Sequence, residues 1–151
     1  MKRIYSCVII IALVLSLTAC FNGSGALVEP LYNESKTVIA GDGSEFTVIH
    51  HESGFPEIDI VMYINYKGKD IFSGVVGHRG EYDYKNDFAI NYAEIIDEYH
   101  NEDFSVYQFN WCIIYSFDEG ETFSGVLKEN YTNVYSEDEN FRTVFTALKS
   151  H

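Results

Sequence analysis

The 151-residue chain is expected to adopt an α+β fold: a strand-rich, mainly antiparallel sheet with one or two short helices packed against it. Three observations lead there. Apolar residues alternate with period two in most of the chain beyond residue 44, as half-buried strands require. Two shorter segments place their apolar residues at helical spacing instead. The chain also holds 12 Tyr and 11 Phe, enough aromatic mass to build a packed core and to exclude a disordered chain in spite of its charge.

Taken in order, the first residues read MKRIYSCVIIIALVLSLTAC. Lys2 and Arg3 precede an apolar run from Val8 to Leu17, which is the layout of a secretory signal. The run is shorter than the roughly 20 apolar residues of a membrane-spanning helix. Its end, Leu17-Thr18-Ala19-Cys20, resembles the lipobox of bacterial lipoproteins. That resemblance implies cleavage after residue 19, lipid attachment at Cys20, and a membrane anchor of two or three acyl chains, which holds far better than one. Phe21 follows Cys20 where aspartate commonly signals inner-membrane retention in enteric bacteria, so the expectation leans towards a periplasm-facing protein of the outer membrane. Residues 1–19 are thus a lipoprotein signal peptide, 20–25 a lipidated tether that includes the small, flexible FNGSG, and 26–151 a single α+β domain of ordinary size.

In that domain EFTVIHH, residues 45–51, reads as a strand. IDIVMYINY places Ile58, Ile60, Met62, Ile64 and Tyr66 on one face, and a tight turn at Tyr66-Lys67-Gly68-Lys69 leads into DIFSGVV, 70–76: a hairpin. DFAINYAEIIDEYH, 87–100, reads as a helix carrying Phe88, Tyr92, Ile95, Ile96 and Tyr99 on its apolar side. FSVYQFNWCIIYSF, 104–117, reads as one long strand with Tyr107, Phe109, Trp111, Ile113, Tyr115 and Phe117 on the core face. It pairs with TFSGVL, 122–127, in a second hairpin set at the centre of the sheet. A last helix starts with Ser136 and Glu139 in capping-box spacing and presents Phe141, Val144, Phe145 and Leu148 to the core.

Charge narrows the partners. With 23 acidic and 10 basic residues the chain carries a formal −13, and removal of Lys2 and Arg3 with the signal makes the remainder more acidic still. Such a surface repels nucleic acid and steers towards basic proteins. Cys7 leaves with the signal and Cys20 takes lipid, so Cys112 is alone in the mature chain. It reads as a buried small hydrophobe rather than a nucleophile.

The most distinctive stretch is Ser116-Phe117-Asp118-Glu119-Gly120-Glu121-Thr122-Phe123, which resembles the Asp-box motif with Phe in place of its final Trp. The resemblance implies a structural turn: Ser116, Asp118 and Thr122 satisfy turn amides, Gly120 supplies a positive φ, and Phe123 pins the hairpin to the core. The motif recurs in the blades of sialidase-like propellers, whereas this chain has one copy. Two other readings of its acids remain open, calcium binding through Asp118, Glu119 and Glu121 and paired-carboxylate catalysis. Calcium loops use more regularly alternating ligands, and catalysis needs one shielded acid.

Histidine offers no catalytic constellation. His50 and His51 are neighbours on a strand and face opposite ways. Asp97 and His100 face each other on the expected helix but are two ligands only. His78, Arg79 and Gly80 form a loop with no nucleophile tied to it. No metal and no cofactor are expected. The signal, the small strand-rich domain and the late Y-S-x-D-x-G-x-T-F hairpin together resemble periplasmic lipoproteins encoded beside type VI secretion lipase effectors, which act as immunity proteins. What this implies is a non-enzymatic, membrane-tethered protein that binds a secreted toxin; the acidity of this chain adds the expectation that Asp118, Glu119 and Glu121 face a basic partner. The alternatives are an envelope glycan-binding protein or hydrolase related to sialidase-like blades, and a structural envelope lipoprotein.

Overall fold

Lys67 and Gly68 both adopt positive φ, 49° and 79°, the pairing that lets a two-residue turn join twisted antiparallel strands. They link β3 (Asp59–Tyr66) to β4 (Lys69–His78), the first hairpin foreseen in the sequence. β3 also pairs with β2 (Glu45–Ser53), and β2 with β1 (Asn33–Ile39), which gives an antiparallel sheet of order β1-β2-β3-β4. Phe46 stands opposite Tyr66, and Val48 opposite Ile64. Phe46, Val48, Met62 and Ile64 therefore share one fully buried face. β1 was not foreseen, because NESKTVI carries too few apolar residues to show a period.

The computed structural model describes residues 33–54, 57–78 and 92–151, all within one compact unit, Leu31–His151. The expected signal peptide 1–19, Cys20, the expected tether 20–25, Arg79, Gly80 and the first residues of the expected helix, Phe88 included, lie outside the described residues.

The second sheet, of order β5-β6-β7-β8, corrects three expectations. β5 is Ile95–His100, a strand where a helix was expected. Apolar residues in this segment satisfy both periods, and pairing with β6 (Ser105–Phe109) decides between them. A register shift between Ile95 and Asp97 leaves Ile96 outside the ladder and 52% exposed. Next, the single strand expected over 104–117 is a hairpin of β6 and β7 (Cys112–Ser116), with Asn110 and Trp111 at its turn. Because the turn reverses the chain, side-chain parity inverts across it: Tyr107 and Phe109 share a core with Cys112 and Ile114, while Val106 shares the opposite one with Ile113 and Tyr115. Lastly, β8 (Ser124–Leu127) does pair with β7, but at the edge of its sheet rather than the centre.

The two sheets enclose an aromatic core. Phe46 meets Tyr107 edge-on with ring centroids 4.8 Å apart, and Phe72 stacks on Trp111 at 5.8 Å. The other face of the second sheet is covered by two helices, α1 (Tyr131–Glu137) and α2 (Glu139–Ser150), reached through a 3₁₀ turn at Lys128–Asn130. Phe141, Val144 and Leu148 of α2 are buried there, as their spacing predicted. The cap differs: Asp138, not Ser136, starts α2 by accepting the Phe141 amide at 3.0 Å. Ser136 belongs to α1, and its hydroxyl donates to the Asn133 carbonyl. Asp138 has extended backbone, ψ 115°, which breaks one helix and opens the next. Arg142 donates to the carbonyls of Tyr135 and Ser136 and closes the end of α1. The architecture is α+β and strand-rich, in three layers: sheet, sheet, helices.

β4 and β8, edge strands of different sheets, meet through reciprocal glycines. Phe72 lies against Gly125, and Leu127 against Gly74; a Cβ at either position would collide with the opposing side chain. Gly125→Ala should therefore destabilise the fold by about 1–3 kcal/mol through overpacking, read as a lowered urea midpoint with unchanged slope. An unchanged midpoint would mean that the seam is loose.

Candidate functional site

The acidic hairpin tip is built by its short side chains. Ser116 is buried at the end of β7, and its hydroxyl donates to Asp118 Oδ1 at 2.7 Å while accepting from the Gly120 amide at 2.9 Å. Asp118 Oδ1 also accepts the Thr122 amide at 2.8 Å, and Oδ2 accepts the Thr122 hydroxyl. Glu119 and Gly120 hold positive φ, 55° and 81°. Gly120 fits this without strain, and Glu119 does so because the hydrogen bonds on both sides of it fix the turn. Phe123 then turns inward against Phe46 at 5.9 Å and Tyr66 at 5.2 Å.

These contacts divide the acids into two kinds. Both oxygens of Asp118 are occupied by donors, and the Thr122 hydroxyl, the Thr122 amide and the Ser116 hydroxyl pull its carboxyl down to about 2. Asp118 thus shapes the turn. Glu119 and Glu121 are exposed, and while the Glu121 amide donates to the Asp118 carbonyl at 3.1 Å, neither carboxylate makes a hydrogen bond or ion pair among the described residues, so their charge is directed at solvent. With Glu102 and Asp103 from the β5–β6 loop they border a groove of about 310 Å³, at whose wall Phe117 stands 43% exposed. Phe117 was expected in the core; it lies past the end of β7, where the alternation no longer applies. The arrangement suits an aromatic contact framed by negative charge. Among the described residues no group of three His, Cys, Asp or Glu side chains is placed to hold a metal ion.

A second polar cluster joins the two sheets. Tyr107 donates to Asp42 Oδ2 at 2.7 Å, and the Gly41 amide donates to Glu98 Oε1 at 2.7 Å. The imidazole of His100 lies between the two acids, 3.7 Å from Asp42 and 3.6 Å from Glu98. Burial tends to raise the Asp42 carboxyl, but donors from the Ser44 amide, Tyr107 and the Ser44 hydroxyl, with His100 nearby, bring it below its ordinary value. Burial raises the Tyr107 hydroxyl. None of this was legible, since the partners are separated by 57 to 65 residues. It also replaces the expected facing pair of Asp97 and His100: on a strand, residues three apart point to opposite faces. Asp97 instead lies 3.2 Å from His151.

The other candidates are placed apart. His50 and Glu52 are buried and share a face of β2, and burial lowers the imidazole's proton affinity against the opposing pull of Glu52. His51 points the other way, beside Tyr63. His78 ends β4 in contact with Asp59 at 2.8 Å. Cys112 is fully buried, and burial pushes its thiol well above the ordinary range.

No family model matches the chain. Neither the curated proteins nor the solved structures contain a match.

Two measurements test the site. The Asp118 carboxyl should titrate near pH 2 in a carbon-detected NMR titration. Its folded value lies below the unfolded one, about 3.9, so its support for the tip is complete above pH 4 and fades as pH falls towards 2. A midpoint near 4 would show the turn bonds to be idle. Cys112 should resist thiol reagents until the protein unfolds; rapid labelling of native protein would contradict its burial.

Proposed function

We propose that this chain is a membrane-anchored periplasmic lipoprotein that works as a protein-binding module, and that its role is that of an immunity protein neutralising a secreted, type VI effector. The anchor is Cys20, through lipid added at Leu17-Thr18-Ala19-Cys20. The observation that carries the binding role is the acidic tip. A hydrogen-bonded turn pinned by Phe123 holds Glu119, Glu121 and the exposed Phe117 in fixed positions at small entropic cost, and pre-set side chains of this kind make effective interface anchors. The charge of −13 favours a basic partner and speeds encounter with it. This reading involves no catalytic step, cofactor or nucleic acid. The outer membrane is the favoured site because Phe21 follows Cys20.

Two experiments test the two halves. Cys20→Ser should move the protein from the membrane fraction to the soluble one and abolish labelling by radioactive palmitate; persistent labelling would refute the anchor. The purified lipoprotein should bind and inhibit the effector encoded by the neighbouring gene, and Glu119→Lys with Glu121→Lys should slow association by roughly tenfold at low salt, with a smaller effect at high salt. Full protection by the double variant at every salt concentration would remove the acidic tip from the interface.

A further inference from the structure

Strand β8 is bonded on one side only. The Lys128 amide donates to the Trp111 carbonyl at 2.9 Å, one step beyond the opposed pair Leu127 and Cys112. Bonded and non-bonded pairs alternate along an antiparallel ladder. Ser124 and Val126 therefore turn their amides and carbonyls towards β7, while Gly125 and Leu127 turn theirs outward. Leu127 is also the N-cap of the 3₁₀ turn at Lys128–Asn130, so its carbonyl accepts the first bond of that turn; the Gly125 amide and carbonyl and the Leu127 amide are the outward groups left outside the ladder. They border a groove of about 550 Å³, walled by Phe72 and Ser73 of β4 and by Asn130, Asn133 and Asp138 around α1.

Edge strands are normally protected by charge, proline or a bulge. β1 carries Glu34 and Lys36, β4 carries Lys69 and Asp70 with two register shifts against β3, and β5 has a bulge with Asp97 and Glu98. β8 reads Ser-Gly-Val-Leu and has none of these. It is an unguarded edge beside an open groove.

We propose that β8 is an acceptor edge, to which an extended, neutral or basic segment of a partner protein adds as a fifth strand of the second sheet. The outward amides of Gly125 and Leu127 sit two residues apart, with the Gly125 carbonyl between them, which matches a strand and not a helix. Hydroxyl and amide side chains of Ser73, Asn130 and Asn133 suit a peptide backbone, and Asp138 adds negative charge with no cation on the walls. A second copy of this chain is disfavoured as occupant by its charge of −13. The proposal rests on the partner-binding reading above and states how a partner engages.

The test uses the full ¹⁵N-labelled chain in mild detergent and a synthetic peptide alternating valine and threonine with lysine at each end. No effector is involved, so a wrong partner and a closed edge are told apart. Saturable binding should slow exchange of the Gly125 and Leu127 amides by about tenfold at a peptide concentration ten times Kd. The same peptide N-methylated along its backbone should leave exchange unchanged. Asn133→Trp, at an exposed position that fills the groove, should weaken binding at least tenfold while the melting temperature stays the same. Equal binding by the methylated peptide, unaffected binding by Asn133→Trp, or protection that grows with protein concentration before peptide is added would each overturn the proposal.

Discussion

The rest of the structure depends on the reversal of the chain at Asn110 and Trp111. An uninterrupted strand would have placed every aromatic from Tyr107 to Phe117 on one face, with Val106, Cys112 and Ile114 on the other beside Gln108, Asn110 and Ser116. The turn inverts the alternation, so the β6–β7 hairpin presents Phe109, Cys112 and Ile114 to the first sheet, and Val106, Ile113 and Tyr115 to the helices. All five residues of β7 are buried. A strand buried on both faces must be covered twice, and that requirement calls for the three layers. Trp111 reinforces the reversal from within: its ring stacks on Phe72, and its indole N–H donates to the Tyr92 carbonyl at 3.2 Å.

Legibility in the sequence followed local physics. The Lys67-Gly68 turn, the alternation of β2 and β3, the apolar face of α2 and the α+β class could be read because each is encoded by neighbours in the chain. The errors fell where a non-local partner decides. Residues 95–100 carry apolar residues compatible with a helix and with a strand, and only pairing with β6 selects the strand. The 104–117 segment is rich in large apolar residues on both parities, so periodicity could not reveal where it turns. β1 is polar because one of its faces is open to water, and it was invisible for that reason. The Asp-box-like tip was the most legible part of the candidate site, since its hydrogen bonds span four residues or fewer. The Asp42, Glu98 and His100 cluster, assembled from distant strands, gave no signal at all.

The acids are not equivalent, although composition counts them alike. Asp118 and Asp138 are consumed by the backbone: one closes a turn and the other caps a helix. Asp42 and Glu98 tie the β1–β2 turn to β5 and β6 across the open side of the sandwich, opposite the seam formed by the glycines of β4 and β8. Those roles leave Glu102, Asp103, Glu119 and Glu121 grouped beside Phe117. A surface of this kind repels copies of itself and attracts a positively charged face, and both effects act before any contact is made.

The acidic tip and the unguarded edge share one element. β8 begins at Ser124, directly after Phe123, the residue that fastens the tip to Phe46 and Tyr66. Three residues along it, Leu127 lies against Gly74 of the first sheet. The strand is therefore held at both ends by packing while its outward amides stay unpaired, which is unusual, because edges that are free to bond are commonly free to move as well. A partner that engaged here would order little of this chain on binding. Less of its contact energy would be spent on ordering this chain, and the charges at the tip would set the direction from which it arrives.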